Sequence, residues 1–157
     1  MMNTMRDYPR KPNPIKQYIG QPSRAEKRIL ALEERRERYE ALAMKRTGVY
    51  SGGMPGGIRR VSSTEHYVCK IVDVEREIAR KIDELADLVW IVEYEIGLLT
   101  DARYRDILTW RYLNGWGWDE IAEGMHYDRR QVHRLHGEAL MAFGSENKHV
   151  PKCHIQM

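Results

Sequence analysis

Residues 116–143 read WGWDEIAEGMHYDRRQVHRLHGEALMAF, a pattern that predicts two helices joined by a tight turn. Apolar positions recur there at the three- and four-residue steps of a helix. The turn usually needs a residue with φ > 0, most often glycine, and His126 at that position fits less well than glycine would. Asp128 stands where the second helix needs an N-cap. Together these features predict a helix-turn-helix. Its apolar contacts are Ile121, Ala122, Met125, Tyr127, Val132, Leu135, Ala139 and Phe143.

The second of these helices carries polar side chains that cannot all share its apolar face. In a helix-turn-helix, side chains at such positions project from the first two turns toward the major groove. Arginine can bind guanine or a phosphate through two parallel hydrogen bonds, and glutamine can read adenine. A pair of helices that only packs together is the alternative interpretation. The candidate DNA-binding residues are Arg129, Arg130, Gln131, His133 and Arg134. The four basic ones among them are expected to lie exposed and free of carboxylate partners.

The composition of the whole chain is that of a helix-rich protein without a strong overall charge. Its 157 residues are 42% hydrophobic and 31% charged, and the formal net charge is +3. No apolar run approaches the ~20 residues of a membrane span. Cys69 and Cys153 are far apart in sequence, and nothing suggests a disulfide framework. We expect a cytoplasmic protein with no membrane partner.

Both ends of the chain are predicted to lie outside the packed helices. Residues 144–157 lack periodicity and predict a flexible tail, and the histidines and cysteine in it fall short of a zinc ligand set. No metal and no cofactor is expected. Residues 1–22 predict a basic, non-helical arm that either contacts DNA phosphates or has no role. The prolines behind this prediction are Pro9, Pro12, Pro14 and Pro22.

Residues 23–99 predict a long helical hairpin with a glycine-rich linker at 47–63. Ser23 is expected to cap the first helix and Thr64 the second. The second helix, 64–99, is long enough to need a partner. That partner is the first helix, the same helix of a second subunit, or both, and a second subunit would make a homodimer. A seven-residue spacing predicts a helix-helix seam through Ile78, Leu85 and Val92. The apolar set of this helix is Ile71, Val74, Ile78, Ile82, Leu85, Leu88, Val89, Val92, Ile96 and Leu99.

Residues 100–143 predict a three-helix domain that contains the helix-turn-helix. Thr100 or Asp101 is expected to cap its first helix, and Asn114-Gly115 to end it. The fold class expected for the chain is all-α, a long helical hairpin or coiled coil followed by a helix-turn-helix domain. The core contacts expected from the first helix are Tyr104, Ile107, Leu108 and Trp110.

Three stretches of the sequence resemble phage and prophage transcriptional regulators of the ArpU and RinA type. They are SGGMPGG at 51–57, KIVDVEREIARKIDELADL at 70–88 and RYRDILTWRYLNGWGWDEIAEGMHYDRRQVHRLHGEAL at 103–140. The last three helices of such regulators look like region 4 of bacterial sigma factors. The resemblance covers roughly residues 25–143. It departs from the pattern at His126, where the turn glycine is usual, and at Gly124 in the first helix.

This resemblance implies a function in the bacterial host cell, the control of late phage genes by binding double-stranded DNA. It places Arg129, Arg130, His133 and Arg134 on the recognition helix. It leaves open whether host RNA polymerase is a second partner. Two other functions stay open, a small terminase subunit for DNA packaging and a helical interaction or inhibitor protein. No catalytic residues are expected, because the histidines form no nucleophile-base-orienter order.

Overall fold

The computed structural model describes residues 13–47 and 63–147, and the regular structure in these ranges is entirely helical. The prediction of an all-α fold is therefore confirmed for this part of the chain. None of the described helices is long and apolar enough to cross a membrane. In chain order the helices are α1 (Pro14–Ile19), α2 (Gln21–Thr47), α3 (Ser63–Gly97), α4 (Ala102–Leu108), a π-helical turn (Thr109–Leu113), α5 (Trp118–Met125) and α6 (Arg129–Glu146).

The chain divides into two compact units, and the boundary between them falls within α3. The middle unit is Pro22–Trp90, and the terminal unit consists of the residues on either side of it, from Met1–Gln21 and Ile91–Met157. This division differs from the predicted one between residues 99 and 100. The predicted linker, apart from its first and last residues, lies outside the described residues.

The terminal unit is built around a single apolar core to which α1, the end of α3, α4, α5 and α6 all contribute. Three of the apolar side chains that the sequence predicts as contacts, those of Ile121, Val132 and Phe143, are completely buried in it. Tyr104, Trp110, Ala122, Met125 and Tyr127 pack against this core from its edge. Its buried members are Ile15, Ile19, Val92, Ile96, Leu99, Ile107, Leu108, Ile121, Val132, Leu135, Ala139, Leu140 and Phe143.

Helix α1 lies inside the predicted arm, and the prediction that the prolines exclude a helix is wrong for residues 14–19. The Asn13 carboxamide oxygen accepts hydrogen bonds from the backbone N–H groups of Ile15 and Lys16, at 2.9 and 3.4 Å. Pro14 occupies the first helical position, where a missing N–H costs nothing and the fixed φ suits the helix. A proline there starts a helix instead of breaking one.

Side-chain contacts hold α1 against the rest of the terminal unit. Ile19 is completely buried in the core. The Tyr18 hydroxyl donates to Oε1 of Glu95 at 2.8 Å, and burial together with this bond raises the pKa of Tyr18 to about 12. Ile15 packs so closely on α6 that a Cβ placed on Gly144 would lie 2.5 Å from its Cδ1. The part of the predicted arm that follows residue 12 is therefore part of the fold.

Two further predicted boundaries are corrected at the ends of helices. Helix α2 begins at Gln21, so Ser23 lies in its first turn and is not its N-cap. Helix α6 continues through Glu146 and ends at a buried Asn147, whose side chain donates to the Phe143 carbonyl at 3.1 Å. The flexible tail predicted from residue 144 is therefore wrong for 144–147, and its remaining residues lie outside the described ranges.

The middle unit packs α2 against the first part of α3 along one narrow apolar line. Its buried residues are Ile29, Leu32, Val74 and Ile78, with Tyr39 and Leu85 at the edge. The rings of Tyr39 and Tyr67 lie 6.3 Å apart. Helix α3 begins at Ser63, one residue before Thr64, the N-cap that the sequence predicted. The predicted seam is partly wrong, because Ile78 and Leu85 join this line whereas Val92 belongs to the core of the terminal unit.

Helix α4 starts where the sequence predicts but ends at Leu108, and a π-helical turn continues the chain to Asn114, the predicted end. The Asp101 carboxylate caps the helix by accepting from the Arg103 N–H at 2.9 Å. The chain then widens into the π-helical turn, in which the Asn114 N–H bonds the Thr109 carbonyl five residues earlier at 3.0 Å. Gly115 follows with φ of +72°, a conformation that suits glycine. π-helical turns often occur near functional sites.

Candidate nucleic-acid interface

Helix α5 and the turn after it bring the chain into position for α6. The Glu120 carboxylate accepts a hydrogen bond from the Gly117 N–H at 2.6 Å, which satisfies an otherwise open donor at the start of α5. His126 ends the helix in the left-handed conformation, with φ of 56° and ψ of 39°. The sequence predicted a left-handed residue there, and histidine adopts this conformation more readily than most residues. Gly124 stays helical and lies against the rings of Trp110 and Trp116.

Helix α6 opens with a reciprocal capping arrangement. The Asp128 carboxylate accepts from the Gln131 N–H at 2.8 Å, and Oε1 of Gln131 accepts from the Asp128 N–H at 3.0 Å. Asp128 is therefore the N-cap, as the sequence predicted. The arrangement fixes the start of the helix, and it also engages the side-chain oxygen of Gln131, one of the candidate DNA-binding residues. Only the amide NH₂ of that side chain is left to meet a base.

The four basic candidates lie exposed on one face of the first two turns of α6. Arg129 pairs with Asp119 at 3.3 Å, and Arg134 pairs with Glu138 at 3.8 Å. The expectation that all four are free of carboxylates is therefore wrong for these two arginines. Among the described residues, Arg130 has no carboxylate within ion-pair distance. Exposed ion pairs contribute only about 0–1 kcal/mol, so a phosphate can displace them readily.

His133 is held against an aromatic and cationic stack that the sequence did not reveal. Its ring centroid lies 4.5 Å from that of Trp118. The Arg111 guanidinium also lies over the Trp118 ring, 4.5 Å from the centroid, and its Nη1 donates to the Trp116 carbonyl at 2.8 Å. Because the π-helical turn carries Arg111, the change in winding there places this cation beside α6. No spacing in the sequence signals that contact.

His136 lies one turn from His133 but is buried, with only 5% of its surface exposed. Its Nε2 and the Tyr112 hydroxyl form a hydrogen bond of 3.1 Å. Burial, with smaller contributions from the nearby side chains of Lys16, Arg111 and His133, lowers the pKa of His136 to about 4. Burial also raises the pKa of Tyr112 to about 12. His136 is therefore neutral near pH 7, with three basic side chains around it.

A half-open pocket of about 270 Å³ lies between α1 and this part of α6. Gly137 forms part of its wall, and a Cβ placed there would meet nothing within 4 Å. On α6, residues 133, 137 and 141 follow at four-residue steps, so the pocket continues the exposed face that begins at Arg129. The lining is Asn13, Ile15, Lys16, His133, His136, Gly137, Leu140 and Met141.

Within residues 13–47 and 63–147, no group of His, Cys, Asp and Glu side chains is placed to hold a metal ion. His149, Cys153 and His154, which the sequence suggested as weak candidates, lie outside the described residues. Comparison of the chain with protein-family models, with curated proteins and with solved structures finds no match. The resemblance to phage regulators thus stays a prediction from the sequence.

Proposed function

We propose that the chain is a sequence-specific DNA-binding transcription regulator that places the first two turns of α6 in the major groove. One observation supports this most directly: a capped helix follows a left-handed turn and presents Arg129, Arg130, His133 and Arg134 on a single exposed face. Basic side chains at the N-terminal end of a second helix are what a helix-turn-helix directs at base edges and phosphates.

The contacts of each arginine indicate which part of the duplex it binds. Arg130 has no carboxylate partner among the described residues, so we assign it to a base edge, where a guanidinium can bind O6 and N7 of guanine together. Arg129 and Arg134 are held by Asp119 and Glu138 at the two sides of the face, and we assign them to phosphates. Phosphate contacts of this kind set the register on the duplex.

The finer part of the proposal follows the resemblance stated above. The chain would be encoded by a phage or prophage and would activate late genes in the bacterial host, with RNA polymerase as a further partner. It would act as a homodimer through α3, because operators of helix-turn-helix proteins repeat with two-fold symmetry. An exposed apolar stripe on α3 that includes Val68, Val72 and Ile82 supports a second copy as the partner.

The test of the proposal begins with a selection of preferred duplexes from a randomised DNA library by the full chain. Arg130→Ala should then lose about 1–3 kcal/mol on the selected duplex, roughly 5- to 150-fold in affinity, and should relax the preference at one base pair. Random duplex should be affected much less. Fluorescence anisotropy titrations at two salt concentrations measure both affinities for parent and variant.

Arg76→Ala is the matched control, because Arg76 is an exposed arginine of the middle unit with only a weak pair to Asp73 at 3.7 Å. It removes the same charge and should leave the selected duplex bound as by the parent. If no duplex is enriched, or if Arg130→Ala binds like Arg76→Ala, α6 does not read DNA.

A further inference from the structure

Lys16, Arg111 and His133 gather around one point of the terminal unit, although they come from three separate elements. Lys16 is on α1, Arg111 on the π-helical turn and His133 on α6. All three act on the buried His136 ring, and each disfavours its protonation. None of the three has a carboxylate within ion-pair distance among the described residues. The Lys16 ammonium and the Arg111 guanidinium therefore keep their positive charge uncompensated, and an anion would be attracted to them.

The pocket beside the cluster has the size and position to receive that anion. Lys16 and His133 are both exposed and both line the pocket, and Asn13 adds an amide at its edge. Gly137 keeps the wall open where any other residue would project a side chain. The pocket also lies on the face of α6 that carries Arg129 and Arg130, one turn further along the helix. An anion bound there would stand next to a duplex held by that face.

We propose that Lys16 and His133 bind a backbone phosphate of the DNA duplex at the mouth of this pocket, so that α1 extends the DNA-binding surface beside α6. This inference rests on the proposed function, because the phosphate is one of the duplex that α6 reads. Phosphate contacts carry no sequence information, so the pocket contributes affinity and register without specificity. Lys16 suits the role, since an ammonium binds phosphate as a point charge.

A matched pair of substitutions at Gly137 tests the pocket without removing any existing contact. Gly137→Glu places a carboxylate at the mouth, and Gly137→Gln places an uncharged side chain of the same shape there. The carboxylate should lower the affinity for selected and random duplexes alike, by about tenfold, because it repels a phosphate at close range. The amide should change either affinity by less than about twofold. Circular dichroism melting curves show whether both variants fold as the parent does.

Lys16→Gln tests the cation itself. Loss of one phosphate contact should weaken binding to both duplexes about threefold and should reduce the slope of log K against log salt by about 0.9. Lys27→Gln removes an exposed lysine of α2, in the middle unit, and should leave the slope unchanged. In a second experiment, inorganic phosphate is added to the chain at millimolar concentration. Its binding is detected by NMR shifts of the His133 and His136 rings.

The outcomes separate this inference from the proposed function. If Lys16→Gln and Gly137→Glu bind like the parent while Arg130→Ala is impaired, the pocket is not a phosphate site and the role of α6 stands. If Lys16→Gln is impaired on the selected duplex alone, the contact is not with the backbone, and the inference is also overturned. Saturable binding of inorganic phosphate without any effect of either substitution on duplex binding would assign the pocket to a small free anion instead. If Arg130→Ala also binds like the parent, the function itself fails.

Discussion

The two units of this chain use the same kind of helix to build very different cores. In the terminal unit, thirteen of the described apolar side chains form one buried cluster, and Phe143 at its centre is 0% exposed. In the middle unit, four form a line, and each of them keeps 6–9% of its surface exposed. Helix α3 supplies Val92 and Ile96 to the first cluster and Val74 and Ile78 to the second.

The difference follows from how many elements surround each cluster. Helices from several directions enclose the terminal core, so side chains in it are covered on all sides. Two helices alone can cover only the stripe along which they touch. The middle unit therefore leaves large apolar side chains at the surface, among them Leu30, Val68, Val72 and Ile82. Such exposure in a long helix is typical of a surface that a further helix covers.

The largest effect is expected from truncation at the centre of the enclosed core. Phe143→Ala should cost about 3–5 kcal/mol of unfolding free energy, because it removes a fully buried ring and leaves a cavity. Three of the four tryptophans, Trp110, Trp116 and Trp118, belong to the terminal unit. Denaturant unfolding followed by tryptophan fluorescence therefore measures the loss mainly in that unit.

Leu32→Ala is the matching change in the middle unit. Leu32 keeps some exposure, and its neighbours can close around a smaller side chain, so its cost should lie near the low end of the Leu→Ala range, about 2 kcal/mol. Far-UV circular dichroism records it, since α2 and α3 are the two longest helices of the structure. Equal costs for the two substitutions would contradict the contrast between an enclosed and a linear core.

Much of the terminal unit could be predicted from the sequence because its signals are local. The apolar steps before and after the turn, the Asp128 cap and the left-handed position of His126 all lie within a few residues of one another. In the same way, Asp101 marks the start of α4, and Gly115 marks the end of the π-helical turn that follows it. Each of these features depends on backbone hydrogen bonds that nearby residues make or fail to make.

The parts that could not be predicted depend on partners distant in sequence. Helix α1 is short, and its local signals, Asn13 and Pro14, mark only its start. Its place in the fold depends on contacts of Tyr18 with Glu95 and of Ile15 with Gly144. The density of prolines predicts a broken chain, whereas Pro14 at the first helical position favours a helix. The gathering of Lys16 and Arg111 around His136 likewise becomes visible only in three dimensions.

Acid is expected to destabilise the terminal unit through His136. His136 has a pKa of about 4 in the folded chain, against an ordinary value of about 6.5 for an unfolded histidine. The unfolded chain therefore takes up the proton first as pH falls. The stability that the neutral ring contributes is complete above pH 6.5 and is lost between about pH 6.5 and pH 4, by up to about 3 kcal/mol.

The variant His136→Gln isolates this contribution. Glutamine keeps a hydrogen-bonding group near Tyr112 but does not titrate, so the variant should be less stable at pH 7 and should lose less stability toward pH 5. Fluorescence-detected unfolding at pH 7 and pH 5 measures, for parent and variant, the slope of the unfolding free energy against pH. His66→Gln, at an exposed histidine of the middle unit, should keep the slope of the parent. Parallel curves for parent and His136→Gln would show that another group is responsible.

The smallest effect on the folded chain itself is expected at Ile82, which is 49% exposed. On α3 the residues at positions 68, 72, 75, 79, 82, 86 and 89 follow at alternating steps of four and three, and all but Glu75 are apolar or small. A second copy of α3 would bury this stripe, which the line against α2 leaves uncovered. Ile82→Glu should therefore leave the helix content unchanged and the unfolding free energy of the separate chain within about 0.5 kcal/mol of the parent. It should nevertheless convert a dimer into a monomer in sedimentation equilibrium.

Arg80→Gln changes the net charge by the same amount on another face of α3 and should stay dimeric. A parent that is monomeric at micromolar concentration would remove the dimer from the proposal, and a ring of about eight or more copies would favour DNA packaging over regulation.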